Sequence, residues 1–330
     1  MASILKPPLT TFYPVQDYYN YLNKHNARRA TTCLHYSSST SHLFAGTSDG
    51  LIKSYNVNRG DTRGKIVKQF EDKVMIDAIA NIDTTLLVGT EKGLLVLNEK
   101  EEMMELDTPI ARRSLVCTGS DKVWVGGEEG LSILHLHKKA KARSWNDSVV
   151  SLAAMNNEHL VVCGGEDGVL RMVDDRARKA GGSSIALGGE QQGTAVENIV
   201  CDADGSFALC STPKDENFDE LTFLHLPTGH ILWTRRVHMS VECICYHRNM
   251  FLVGGVCKNG GNAKGTLQFG TDGEEKGMLR GNVSNILAID TWEDGSGAIG
   301  GYSSRKGWED PPQVIDYYGD LPLLSYSMNI

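Results

Sequence analysis

The residue types best suited to metal chemistry cluster once, at His238, Cys243, Cys245 and His247. Thiolate and imidazole ligands suit zinc, but a structural zinc site needs four groups converging tetrahedrally. Cys243, Cys245 and His247 alternate along an apolar run that reads as a strand, so their side chains share one face and spread about 6–7 Å apart per pair. Buried thiols are therefore expected, with no metal and no cofactor. His135 and His137 in Leu134-His135-Leu136-His137 are likewise strand positions. The stretch from Gly181-Gly182 to Gly188-Gly189 lacks the Gly-Lys-Ser/Thr ending by which a phosphate loop holds phosphate and metal. Gly295-Ser296-Gly297 sits in an acidic turn between two strands, which is the wrong setting for a nucleophile elbow. Nothing in these clusters selects a reaction, and a non-catalytic protein is expected.

The elements that would position such residues repeat. Four segments superimpose without gaps: Leu43 to Leu51, Leu86 to Leu94, Val123 to Leu131 and Val161 to Val169. Each is an apolar run, a turn bounded by glycines, and a second apolar run. Looser copies follow at Phe207 to Ser211, Phe251 to Gly255 and Ala298 to Gly301. With 46, 89, 126, 164, 211, 254 and 300 as equivalent positions, the intervals are 43, 37, 38, 47, 43 and 46 residues. That period lies at or near the ~40–45 residues of a four-stranded propeller blade. A further strand-like run precedes each copy and a less apolar one follows it. The fold expected is all-β: a seven-bladed β-propeller with four-stranded antiparallel blades. It would occupy residues 31–330, after an N-terminal segment, 1–30, holding a strand, a short amphipathic helix (Val15, Tyr18, Tyr19, Leu22) or both. The last blade's outer strand would come from Thr10–Val15 or from Leu321–Ser325. Glycine, at 35 residues, would supply the positive φ of the hairpins.

The apolar–Gly–Ser–x–Asp–Gly–x–apolar pattern of Ala45 to Ile52 resembles the WD40-repeat family, and by periodicity the resemblance spans roughly residues 30–320. It departs from that family where the Trp-Asp dipeptide would stand, at Tyr55-Asn56, Asn98-Glu99, His135-Leu136 and Val173-Asp174, and no Gly-His pair opens a blade. The resemblance implies a protein-interaction scaffold or adaptor subunit. Arg171 to Arg176 also resembles the Trp-Asp-x-Arg box by which some family members dock onto the adaptor of a cullin ubiquitin ligase. That resemblance would give Asp174 and Arg176 a docking role, with the chain as substrate receptor.

In this frame the turns between second and third strands gather at one end of the ring. They are minimal in the first four repeats and longer in the last three, at 213–220, 257–265 and 302–312. Long loops on a tight repeat are where binding commonly resides. Two of them set an aromatic among carboxylates: Phe218 with Asp219 and Glu220, and Trp308 with Arg305, Glu309 and Asp310. Trp is enriched at binding hot spots, so these seven residues are the expected partner-binding set. The competing reading is that Phe218 and Trp308 fold back onto their own loops. Asp49, Glu91, Glu128, Glu129, Glu166 and Asp167 fall in the short turns, so the face is expected to be acidic and to favour a basic peptide.

Charge supports that class of partner. Residues 1–73 carry +5 and the remainder −13, for a net charge of −8. Nucleic acid is disfavoured as a direct ligand, because phosphate contacts would be confined to one edge or to Lys138–Arg143. No apolar stretch reaches the ~18 residues of a membrane helix, and no signal-peptide core opens the chain. The eight cysteines lack CxxC pairs, which fits reduced thiols in a cytoplasmic or nuclear protein. No small-molecule substrate is evident. A propeller enzyme with its site at the central channel is the alternative.

Overall fold

The computed structural model describes residues 3–4, 10–12, 30–59, 64–70, 74–90, 92–98, 103–106, 114–138, 140–145, 148–177, 184–187, 194–257, 265–279, 283, 285–292, 296–302 and 313–318. In chain order, two short strands, β1 (Ser3–Ile4) and β2 (Thr10–Phe12), precede seven groups. The first sheet holds β3 (Thr31–Ser37), β4 (His42–Thr47), β5 (Leu51–Asn56) and β6 (Lys65–Gln69). The second holds β7 (Ile76–Ile82), β8 (Thr85–Thr90), β9 (Gly93–Leu97) and β10 (Met103–Leu106). The third holds β11 (Leu115–Thr118), β12 (Lys122–Gly127), β13 (Gly130–His135) and β14 (Ala140–Trp145). The fourth holds β15 (Ser151–Ala154), β16 (Leu160–Gly164), β17 (Val169–Asp174) and β18 (Ser184–Ala186). The fifth holds β19 (Asn198–Cys201), β20 (Phe207–Pro213), β21 (Asp219–His225) and β22 (His230–Val237). The sixth holds β23 (Met239–His247), β24 (Met250–Cys257), β25 (Thr266–Gly270) and β26 (Glu275–Leu279). The seventh holds β27 (Asn285–Thr291), β28 (Gly297–Tyr302) and β29 (Gln313–Tyr318).

Six of these sheets are four-stranded antiparallel blades, the last completed by β2 pairing antiparallel with β29. The sixth sheet is different. It has five strands, because β1 lies parallel along β26 with Ser3 opposite Gly277 and Ile4 opposite Met278. The expectation of seven identical four-stranded units is corrected to six such blades and one five-stranded sheet. A two-residue strand carries no periodicity that a sequence pattern can register. The N-terminal choice for the outermost strand of the last blade is the one realised, which covers an edge that β29 would otherwise expose. Leu321–Ser325 and the helix pattern around Tyr18 lie outside the described residues.

The first strands of successive sheets touch one another in chain order, and β27 touches β3, so the sheets close a propeller ring. Its core is a set of seams rather than one centre. Leu87, Leu94, Val123 and Val125 join the second sheet to the third. Trp124, Leu131, Val161 and Cys163 join the third to the fourth. Leu34, Leu43, Ala288 and Ile315 join the seventh to the first. Both faces of each middle strand therefore meet a neighbour, which is why β8 and β9 are almost wholly buried.

The repeated glycines divide into two physical roles. Gly50 (φ 82°), Gly130 (φ 115°) and Gly168 (φ 74°) supply left-handed turn backbone. Gly46, Gly126, Gly164, Gly254 and Gly300 do not. They lie in second strands against the first strand of the next sheet or the residues leading into it, so that a Cβ on Gly46 would come within 2.5 Å of Ile76 Cγ2. From sequence the repeated glycines are assigned to hairpin turns and strand ends. At five of the seven equivalent positions glycine serves the approach of one sheet to the next.

Candidate functional site

Polar side chains on the first strands clasp the seams. Thr32 Oγ1 donates to Ile76 O (2.5 Å), Ser151 Oγ to Val196 O (2.7 Å) and Asn198 Nδ2 to Val241 O (2.9 Å). Each bond crosses from one sheet to the next. Thr32, Asp77, Ser151 and Asn198 also line a channel of about 220 Å³ at the axis. β-Bulges at Thr32, Asp77, Glu242 and Leu287, each in the first strand of its sheet, re-aim these positions.

The antiparallel order puts the hairpins between second and third strands at one end of the ring, and the fifth-sheet hairpin there is well defined. Asp215 Oδ1 accepts the N–H of Asn217 (2.6 Å) and of Phe218 (3.1 Å). The Phe218 ring is half-buried, with Arg236 Cζ 4.6 Å from its centroid. Asp219 is 1% exposed and its Oδ2 accepts the Val241 N–H (2.6 Å). It therefore belongs to the seam between the fifth and sixth sheets rather than to the acidic rim expected of it. Alternation is the reason: Asp219 begins β21, and its side chain turns inward beside Val241. Glu220 pairs with Lys214 (3.1 Å). Of the expected binding set, Arg305, Trp308, Glu309 and Asp310 lie outside the described residues.

The short turns divide in the same way. Asp49 is buried and accepts the Thr47 hydroxyl (2.6 Å). Asp167 is bonded by the Arg171 guanidinium, which holds its carboxyl below the usual range. Glu128, Glu129, Glu166 and Glu216 are exposed, on the turns of three consecutive sheets. Glu91 lies outside the described residues.

At the opposite end, Asp174 and Arg176 close a bidentate pair. Arg176 Nε donates to Oδ1 (2.9 Å) and Nη2 to Oδ2 (2.7 Å), which holds the Asp174 carboxyl down to about 2. Arg176 is more than half exposed. Beside it, a cleft of about 500 Å³ separates the third and fourth sheets. Lys122 bonds Asp175 there, His159 Nδ1 lies 2.8 Å from Asp175 Oδ1, and His135 Nδ1 lies 3.2 Å from Asp121 Oδ2. Of these contacts the Lys122–Asp175 ion pair crosses the seam from the third sheet to the fourth. Sequence reasoning missed this network, since Lys122 and Asp175 are 53 residues apart and meet only when the third and fourth sheets pack.

The cysteine run sits within β23 at the sixth seam. Cys243 packs with Leu252 and Ile286, and Cys245 Sγ lies 3.1 Å from Thr291 Oγ1, its thiol pushed up to about 12 by burial. His247 is buried and His238 exposed. Among the described residues, no three His, Cys, Asp or Glu side chains are grouped to hold a metal. No helix among them is long and apolar enough to cross a membrane.

No protein-family profile and no curated protein matches this chain.

Proposed function

We propose that the chain is a non-catalytic protein-interaction scaffold: a seven-bladed propeller of the WD40 kind, in which the five-stranded sheet serves as a blade like the other six. In this reading it is a subunit of a multiprotein assembly in the cytoplasm or nucleus. The partner is a basic segment gripped at the end of the ring that carries the second-to-third-strand hairpins. The observation that carries the proposal is the set of exposed carboxylates, Glu128, Glu129, Glu166 and Glu216, on consecutive turns at that end. No salt bridge among the described residues engages these four carboxylates, and such an array steers a cationic partner and pairs with it at the rim of an interface. β28 ends and β29 begins at that same end, and in this reading Trp308, with Arg305, Glu309 and Asp310 in the sequence between them, supplies the apolar anchor. The test is recovery of co-purifying proteins with Trp308→Ala. A loss of about 2 kcal/mol or more in partner affinity is expected for a hot-spot Trp. Undiminished recovery with a folded variant contradicts the anchor.

A second reading rests on the half-exposed Arg176 beside Asp174 at the other end. A ubiquitin-ligase substrate receptor would lose adaptor association in Arg176→Ala while keeping its hairpin-face partner.

A further inference from the structure

We infer that the outer edge of β22, from Trp233 to Arg236, is a docking site for an acidic, extended peptide of a partner protein, which joins the fifth sheet as an added strand. β22 is the outermost strand of its sheet and, at eight residues, longer than β2, β6, β10, β14, β18 and β26, the fourth strands of the other sheets. Among the described residues no strand pairs with its outer edge. An open strand edge presents unpaired N–H and C=O groups that an extended chain can satisfy.

The next sheet shows what such an edge accepts. In the sixth sheet the register between β25 and β26 slips at Gln268/Phe269, leaving Lys276 as a bulge, and β1 pairs parallel with the two residues after it, Gly277 and Met278. In the fifth sheet the register between β21 and β22 slips at Phe223/Leu224, leaving Leu232 as the bulge. The residues after it, Trp233 and Thr234, stand where Gly277 and Met278 stand. The fifth sheet thus repeats the platform that β1 occupies on the sixth, and carries no such strand.

The side chains around that platform choose the occupant. Arg235 Nε donates to Gly273 O (3.1 Å) and Arg236 lies over the Phe218 ring, so the two guanidinium groups are held on opposite faces of β22. Neither has a carboxylate partner among the described residues. Ile231 (37% exposed) and Leu232 (45%) add apolar surface, and only Ile66 is comparable among the described large hydrophobics. Adjacent arginines oppose pairing of β22 with another copy of itself, because like charges along paired edges repel. They favour a strand bearing Asp or Glu, with charge-assisted bonds from guanidinium to carboxylate. The chain's own opening residues, which include Lys6 and no acid before Asp17, are poor occupants by the same criterion.

The test uses the full-length chain and a fluorescein-labelled eight-residue peptide alternating Glu and Val, read by fluorescence anisotropy with hydrogen–deuterium exchange. Saturable binding is expected, with new amide protection confined to residues 233–237. Arg235→Glu/Arg236→Glu should weaken it by about tenfold. N-methylating alternate residues of the peptide keeps its charge but removes its strand donors, and should abolish binding to the unaltered protein, a readout independent of whether any variant folds. The inference is overturned by equal binding of the N-methylated peptide, by protection at β26 or at the hairpin turns instead, or by sedimentation showing that β22 pairs two copies of the chain.

Discussion

Gly300 faces Thr31 so closely that a Cβ on the glycine would lie 2.7 Å from Thr31 Cγ2. This contact is where the last sheet meets the first, and it closes the ring. Gly46 against Ile76, Gly126 against Val149 and Gly164 against Val196 repeat it around the circle. Overpacking a tight contact of this kind costs about 1–3 kcal/mol. Gly300→Ala is expected to lower unfolding free energy by that amount in urea melts. Gly165→Ala is the control, since the atoms nearest its Cβ would be the movable ends of the Asp167 and Arg171 side chains, and it should cost much less. Equal losses would contradict the seam role.

Asp219 makes a distinct prediction. Its buried carboxylate satisfies the Val241 N–H across a seam, so Asp219→Ala strands a buried donor at a cost of about 1–3 kcal/mol. Chemical denaturation should show that loss, while the folded variant binds its hairpin-face partner as before. A variant of unchanged stability with weakened binding would return Asp219 to the rim.

Gln268 works in the opposite direction. It is fully buried on β25, and neither Nε2 nor Oε1 has a hydrogen-bond partner among the described residues. A buried amide without partners costs about 1–3 kcal/mol, and Met has similar length without polar atoms to satisfy. Gln268→Met is expected to raise the melting temperature. A clear drop would show that the amide is bonded in solution.

Acid stability follows from three lowered carboxyls. Arg171 beside Asp167, Arg176 beside Asp174 and Lys276 beside Asp272 each favour the ionised form. A carboxyl lowered in the folded state contributes fully above its unfolded value, near ~3.9, and that contribution is lost as pH falls through the folded value. For Asp174 the fall extends to about 2. Thermal melts should therefore lose stability between about pH 4 and pH 2. Lys276→Gln, which removes the ammonium 2.5 Å from Asp272, should show a smaller loss over that window. An unchanged loss would mean that the pair does not shift Asp272.

The repeat was legible because both faces of each middle strand are buried, so its apolar runs and paired glycines recur at blade spacing. What those glycines do was only half legible. A turn glycine such as Gly168 and a seam glycine such as Gly164 look alike in sequence, and only the neighbouring Val196 separates them. The fifth strand on the sixth sheet was invisible for lack of a pattern in Ser3–Ile4. Asp219 was misplaced because alternation from the start of β21, not proximity to Phe218, decides which way it points. The Lys122–Asp175 and Asn198–Val241 links join residues brought together only when neighbouring sheets pack, which no local pattern encodes.

The most direct test of the central claim is the affinity of a fluorescein-labelled Lys/Arg-rich peptide for the chain and for its Glu128→Lys/Glu129→Lys/Glu166→Lys variant, compared at equal ionic strength. These side chains are exposed, so the fold should tolerate the reversal. An acidic binding face predicts that affinity falls by about tenfold or more, and that added salt weakens the unaltered protein's binding. Equal affinity in a folded variant would contradict it.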